Sequence, residues 1–384
     1  MNMIQRTKSG LFVRDDKNLG LLVYSPFTSM LYSCAETPEN AKRIKQWLNR
    51  EMEDFFDPIY LKALGPGWHF PVESAVSQSN RLLTSIDKSI INKKPEYPLV
   101  INWLITNKCT GKCKYCYATD IIEEDYENLT VDQVKKIGDV ILSYNPLVVV
   151  ITGGDPLVSD HLEIALRHLS KKVGLIVDTN GINLTPKHLK IFKKYGVFVR
   201  ISLDSQSPRR NNLLRPSKKG ACSLEAAISA VDNCLSNDIS VGVHTVVTHN
   251  NIGDILPLSE KLPRVGVLCW RIQLVANHSK FKDYDKFAPS KTRFYKHILP
   301  KVLKTLREEN RGIVFVDVVH NNIPESVVLV LPNGKFCTEL TGIGKVPIDP
   351  INEFSPRIES FRDGVLNREG HTSRYLGNAT ERYE

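Results

Sequence analysis

Three cysteines stand close together in the segment Thr106-Asn-Lys-Cys109-Thr-Gly-Lys-Cys113-Lys-Tyr-Cys116-Tyr117. Thiolates are soft ligands that suit iron–sulfur clusters and zinc. With three and then two residues between them, Cys109, Cys113 and Cys116 can converge on one cubane. Three ligands for four irons leave one iron open to a reactant, whereas a structural cluster ordinarily takes four cysteines. Two blander readings compete: a three-cysteine zinc site completed by a distant histidine, and a chance group of buried cysteines. The spacing, and the aromatic Tyr115 directly before the last cysteine, favour the cubane.

Further polar and glycine residues fall at the ends of apolar runs. In Thr152-Gly153-Gly154-Asp155-Pro156 the two glycines allow close approach of a backbone, although such a string alone reads as a turn. Thr179-Asn180-Gly181 ends one run, and Ile201-Ser202-Leu203-Asp204 ends another. Asp204 could equally cap the following loop. His244 and Asp204 are the acid–base candidates, on position alone.

These residues need a frame, and from residue 98 the sequence alternates strand, loop and helix. Apolar runs at 99–105, 148–151, 173–177, 197–203, 240–247 and 267–275 predict six strands. Helices are expected at 130–144, 160–171, 185–196, 224–235 and 252–262, and a long one at 290–310. Thr130-x-x-Gln133 is a capping box, Thr185-Pro186 opens a helix, and Gly196 stops it. Six β/α units predict a parallel sheet covered by helices, too few for a closed eight-stranded barrel. The expected fold is therefore α/β: a partial (β/α)6 TIM-like barrel over 96–312, with its chemistry at the carboxyl ends of the strands.

Residues 1–95 have a different texture. Short apolar segments at 11–13, 21–24 and 30–34 suggest a meander, and Thr37-Pro38-Glu39 opens a charged helix to about residue 51. This predicts a small N-terminal α+β domain suited to substrate or leader recognition. Residues 313–384 read as a short C-terminal β extension and tail, with strands at 313–318 and 326–331.

Cys109-x3-Cys113-x-Tyr115-Cys116 resembles the CxxxCxΦC signature of the radical S-adenosylmethionine superfamily, over about residues 98–280. The resemblance implies one [4Fe-4S] cluster on these three cysteines, whose open iron chelates S-adenosyl-L-methionine. It implies reductive cleavage to a 5′-deoxyadenosyl radical that abstracts hydrogen from a substrate, with a flavodoxin or ferredoxin as electron donor. Thr152 to Pro156 resembles the family's GGE segment, with Asp155 where Glu is usual and Gly153 and Gly154 near the methionine amino group. Tyr115 and Thr179 join the cofactor-binding set. Ser202 resembles the ribose contact, and Arg215 resembles the basic partner of the cofactor carboxylate, although an exposed loop arginine would look the same. Val246 would pack on the adenine, though a buried valine needs no ligand to explain it.

Cys34, Cys222, Cys234, Cys269 and Cys337 are scattered, so the cysteine-rich extension of many peptide-modifying relatives is missing and one cluster is expected. The chain has 384 residues, 42% hydrophobic and 24% charged, as in a globular protein. No apolar run nears the roughly 20 residues that span a bilayer, and the N-terminus lacks a signal-peptide core. A cytoplasmic protein without membrane attachment is expected, where thiols stay reduced. The net charge of +9 could attract nucleic acid, an acidic peptide or an acidic redox partner, or be only a lysine-rich surface. A ribosomally made precursor peptide is the favoured substrate, from likeness to that branch in Thr152-Gly-Gly-Asp-Pro, Ser202-Leu-Asp and Val247-Thr-His-Asn-Asn. RNA or nucleotide modification is disfavoured by the lack of an aromatic-interleaved basic tract. A non-enzymatic iron–sulfur regulator is disfavoured because the cofactor-like segments would have no purpose.

Overall fold

The computed structural model describes residues 100–275 apart from 123, 124, 127, 219 and 268, then 281–309, with shorter stretches on either side. Those stretches are 4–6, 10–16, 20–26, 30–34, 61–64, 67–71, 97–98, 315–319, 328–340 and 344–347. The helix expected at 37–51 lies outside the described residues.

The N-terminal strands β1 (Gln5–Arg6), β2 (Phe12–Asp16), β3 (Gly20–Ser25), β4 (Met30–Cys34) and β5 (Leu61–Leu64) form an antiparallel sheet in chain order. The next strand, β6 (Gly67–Pro71), leaves this sheet and joins the larger one.

That larger sheet carries β7 (Val100–Leu104), β8 (Val148–Thr152), β9 (Gly174–Thr179), β10 (Phe198–Ser202), β11 (Val241–Val247), β12 (Cys269–Leu274) and β13 (Phe315–Val319). Neighbours pair in parallel in that order. Val148 to Ile151 is buried on both faces, as expected of a parallel strand covered by helices.

The segments expected as a separate C-terminal pair do not pair with each other. β13 extends one edge, beyond β12, and β14 (Val328–Val330) pairs in parallel with β7 at the other edge. Eight strands therefore run parallel where six were expected. β6 closes against β13 in the antiparallel sense, and β15 (Phe336–Leu340) and β16 (Gly344–Pro347) continue from β14. Short apolar strands carry no label for the sheet edge that they join, so sequence pattern alone could not assign these.

The helices form where caps and apolar stripes agree. Thr130 accepts from Gln133 N–H at 3.2 Å, and the Gln133 side chain accepts from Thr130 N–H at 2.7 Å. The helix Val131–Ser143 buries Val134, Ile137 and Ile141 on one face, each worth about 1.5–3 kcal/mol relative to exposure. Thr185 caps Pro186–Tyr195, with His188 completing its box, and Gly196 ends it at φ 65°, a left-handed conformation that glycine adopts freely. The last long helix has a π-helical stretch, Arg293–Ile298, before Leu299–Glu309.

The N-terminal sheet docks at the amino ends of the barrel strands. Arg14, fully buried, donates to Pro98 O at 3.1 Å, Tyr97 O at 3.2 Å and Asn145 O, and pairs with buried Asp16 at 3.4 Å. Tyr24 lies so close to Gly174, the first residue of β9, that a Cβ there would stand 2.2 Å from the ring. The carboxyl ends face the other way.

Candidate functional site

The cysteine loop begins at the carboxyl end of β7 and is pinned from two sides. From the β8 loop, Gly154 N–H donates to Thr106 O at 2.7 Å and Asp155 N–H to Lys108 O at 2.8 Å. A Cβ on Gly153 would stand 2.4 Å from Thr106 O, and one on Gly154 2.2 Å from Lys108 O. The close approach that these glycines permit is thus made first by the cysteine loop itself. From the loop after β10, Leu214 O and Pro216 O accept from Lys114 and Lys112.

Inside this frame the thiols gather. The Cys109 and Cys113 sulfurs flank Gly111, 3.7 and 3.8 Å from where its Cβ would stand. Asn180, at the end of β9, points Nδ2 at Cys109 Sγ, 3.9 Å away. Arg215 points Nη1 at Cys113 Sγ, 3.6 Å away. Burial pushes the Cys109 thiol up to about 11 and Cys116 up to about 12, and also raises Cys113. Thiols held so need a cationic partner to ionise, a charge that a bound metal would supply. Among the described residues no three His, Cys, Asp or Glu side chains are placed to hold a single metal ion. The three-thiol donor set, with Cys109 and Cys113 flanking a glycine that has no side chain to fill the space, fits an iron–sulfur cluster.

Two buried carboxylates organise the rim. Asp155 accepts from Thr179 Oγ1 at 2.9 Å, Asn180 N–H at 2.8 Å and Leu157 N–H at 3.0 Å, tying the end of β8 to β9. Burial raises its pKa, and these donors offset part of the rise. Asp204 accepts from Tyr115 OH, from Arg215 Nε at 2.8 Å and from Val246 N–H at 2.9 Å. Burial raises its pKa too, opposed by Arg215. Both Asp204 oxygens are therefore engaged by protein, and the acid–base candidate acts in this geometry as an anchor. Tyr115 packs its ring 5.7 Å from the Arg215 guanidinium carbon.

The remaining sequence-derived residues line the same end of the sheet. Ser202 closes β10, and its hydroxyl makes no hydrogen bond among the described residues. Val246, on β11, packs beside buried Tyr115, Leu214, Val275 and Phe281. His244 pairs with Ser202 in register, one turn of the pleat below the rim. Its Nε2 is shielded and has no partner among the described residues. Burial, then the charges of Arg271, Arg200 and Arg215, hold its imidazole well below the ordinary range.

Sequence reasoning missed three asparagines. Asn180 faces the Cys109 sulfur; Asn211 Oδ1 accepts from Asp204 N–H at 3.0 Å; Asn251 Nδ2 donates to Asp204 O at 2.8 Å and Val246 O at 2.9 Å. Asn in loops reads as turn chemistry, which hid them.

A parallel α/β sheet with a three-thiol loop at its carboxyl end defines a class of cluster-bearing domain. Residues 103–262 match the family model of the radical SAM superfamily. Fe-coproporphyrin III synthase of Methanosarcina barkeri is 30% identical over 181 residues, 45% of this chain and 43% of that protein. The radical SAM cyclopropyl synthase TigE of Paramaledivibacter caminithermalis is 25% identical over 265 residues, 62% of this chain and 52% of its own. The chain thus spans about half the length of these curated relatives. The crystal structure of Streptococcus suis SuiB bound to precursor peptide SuiA shares the fold, with a TM-score of 0.63 at 13% identity over 95% of this chain and 89% of that one. No helix among the described residues is long and apolar enough to cross a membrane.

Proposed function

We propose that this chain is a radical S-adenosylmethionine enzyme in which Cys109, Cys113 and Cys116 hold one [4Fe-4S] cluster. The observation that carries the reading is that three half-buried cysteines share one loop, with the Cys109 and Cys113 sulfurs flanking Gly111 and the Arg215 fork beside Cys113. When bound, the cluster supplies one electron to split S-adenosyl-L-methionine, giving a 5′-deoxyadenosyl radical that takes a hydrogen atom from the substrate. The chain's own residues would position and shield. Arg215, held by Asp204 and Tyr115, would offer its remaining donors to the cofactor carboxylate. The Gly153–Gly154–Asp155 loop, fixed through Thr179, would present backbone to the methionine amino group. The unengaged Ser202 hydroxyl would meet the ribose, and Val246 would form an apolar wall for the adenine.

The substrate we infer is a ribosomally made precursor peptide. The fold shared with a structure that holds its precursor peptide supports this, as does a small sheet preceding the barrel. The edge strand β1, with Gln5 and Arg6 exposed, suits addition of a peptide strand. Reconstituted without oxygen, reduced with dithionite and given the cofactor, the chain is expected to release 5′-deoxyadenosine. Release should quicken with a precursor peptide encoded beside its gene, and mass spectrometry should show hydrogen loss in that peptide. Absence of 5′-deoxyadenosine under all these conditions would refute the reading. Acceleration by RNA or a nucleotide, and not by peptide, would move the substrate class.

A further inference from the structure

The proposed chemistry draws one electron from outside the chain, and the backbone around Cys113 forms a surface suited to its carrier. Residues 110–114 run antiparallel to 214–218 as a short ribbon. Lys112 N–H donates to Pro216 O at 2.7 Å, Lys114 N–H to Leu214 O at 3.0 Å and Lys218 N–H to Thr110 O at 2.8 Å, with a bridge between Gly111 and Ser217. Extended backbone sends successive side chains to opposite faces. Gly111 and Tyr115 are accordingly buried, and Cys113 turns its sulfur toward Arg215. Lys112 and Lys114 point out, and Lys218 is exposed on the facing strand.

None of these three lysines has an ion-pair partner among the described residues, so their charge faces solvent. Two of the three exposed large apolar side chains among the described residues, Tyr117 at 37% and Leu213 at 58%, lie in the segments that flank the ribbon. Cations around a little exposed apolar surface are what a brief encounter with an acidic protein uses: charge steers approach, and a small interface lets the carrier leave.

We propose that the ribbon bearing Lys112, Lys114 and Lys218 is the docking face for a small, acidic, low-potential one-electron carrier protein. This rests on the radical S-adenosylmethionine reading. The carrier is oxidised by one electron and the cluster is reduced by one. No bond forms between the proteins, and no proton need move.

The test uses full-length reconstituted protein and the triple variant Lys112→Glu/Lys114→Glu/Lys218→Glu, with 5′-deoxyadenosine release as the readout. With reduced bacterial flavodoxin as donor, the variant should be slower by about tenfold at about 50 mM salt. The wild-type rate should fall steeply toward about 300 mM salt while that of the variant stays flat. With dithionite or reduced methyl viologen, which need no protein docking face, both proteins should match within about twofold, and iron content should be equal. Equal flavodoxin-driven rates in the two proteins overturn the docking face. A wild type inert to dithionite overturns the underlying reading itself, which separates the two failures. If the Glu variant loses iron, the Gln and Arg triple variants decide. A slowed Gln variant beside an unimpaired Arg variant supports the face, and equal rates in both overturn it. RNA that co-purifies with the wild type and not with the variant, together with unchanged flavodoxin-driven rates, would assign the lysines to nucleic acid instead.

Discussion

Two arginines, Arg14 buried and Arg215 half-buried, mark opposite ends of the same sheet, and they differ in how their terminal nitrogens are used. Arg14, at the amino end, spends its guanidinium on three backbone carbonyls and Asp16. Arg215, at the carboxyl end, gives Nε to Asp204 and Nη1 to Cys113 Sγ, while its Nη2 has no partner among the described residues. Burial works against the Arg215 charge, and Asp204 outweighs it, so the cation is held firmly. A guanidinium is a fork of five donors. Where protein takes up both terminal nitrogens, as at Arg14, the arginine is a clamp; where one remains beside the thiols, as at Arg215, the proposed role is binding. The N-terminal sheet and the proposed catalytic face thus use one residue type for opposite purposes.

The largest expected effect isolates the carboxyl end. Cys113→Ala should reduce iron from about four per chain to below about one, since two thiolates cannot hold a cubane. Release of 5′-deoxyadenosine should cease while circular dichroism shows the fold retained. An iron count near about eight in the wild type would instead contradict a single cluster.

Next comes the clamp. Arg14→Met leaves Asp16 and three carbonyls buried without their donor, a loss of about 3–5 kcal/mol in unfolding free energy measured by urea titration. Iron per folded chain should be unchanged. A loss below about 0.5 kcal/mol would show that Arg14 is no clamp.

Arg215→Gln should behave in the reverse way. Cofactor affinity should weaken by about 1.5–3 kcal/mol in a binding titration, as for a lost hydrogen bond to a charged group, with iron content intact. If iron is lost as well, or the stability loss equals that of Arg14→Met, Arg215 is a second clamp and the contrast disappears.

The smallest effect concerns pH. His244 is held neutral in the folded protein, well below the ordinary range of the imidazole that the unfolded chain regains. As pH falls below about 6.5 the unfolded chain binds a proton that the folded one refuses, so stability declines with acidification. In thermal melts between about pH 7 and pH 5.5, His244→Gln should lose less stability than the wild type. Parallel profiles would mean that the burial of His244 has no energetic weight.

Much of the parallel sheet could be read along the chain, because its signals are local. The apolar runs of β7 to β12, the Thr130 and Thr185 caps and the stop at Gly196 each depend on neighbours a few residues away. The membership of Cys109, Cys113 and Cys116 in one loop after a strand was legible for the same reason.

What only the tertiary structure decided is everything that spans the chain. Tyr115 finds Asp204 across 89 residues and Arg215 finds Cys113 across 102, so no spacing rule connects them. β13 and β14 are neighbours in sequence yet sit at opposite edges of the parallel strands, because pairing depends on which edge is open and not on strand character. Arg14, 84 residues from the carbonyl of Pro98, looked in sequence like a surface charge on a strand. Sequence pattern reports periodicity within an element, whereas the burial of a charge depends on which distant backbone arrives to accept its hydrogen bonds.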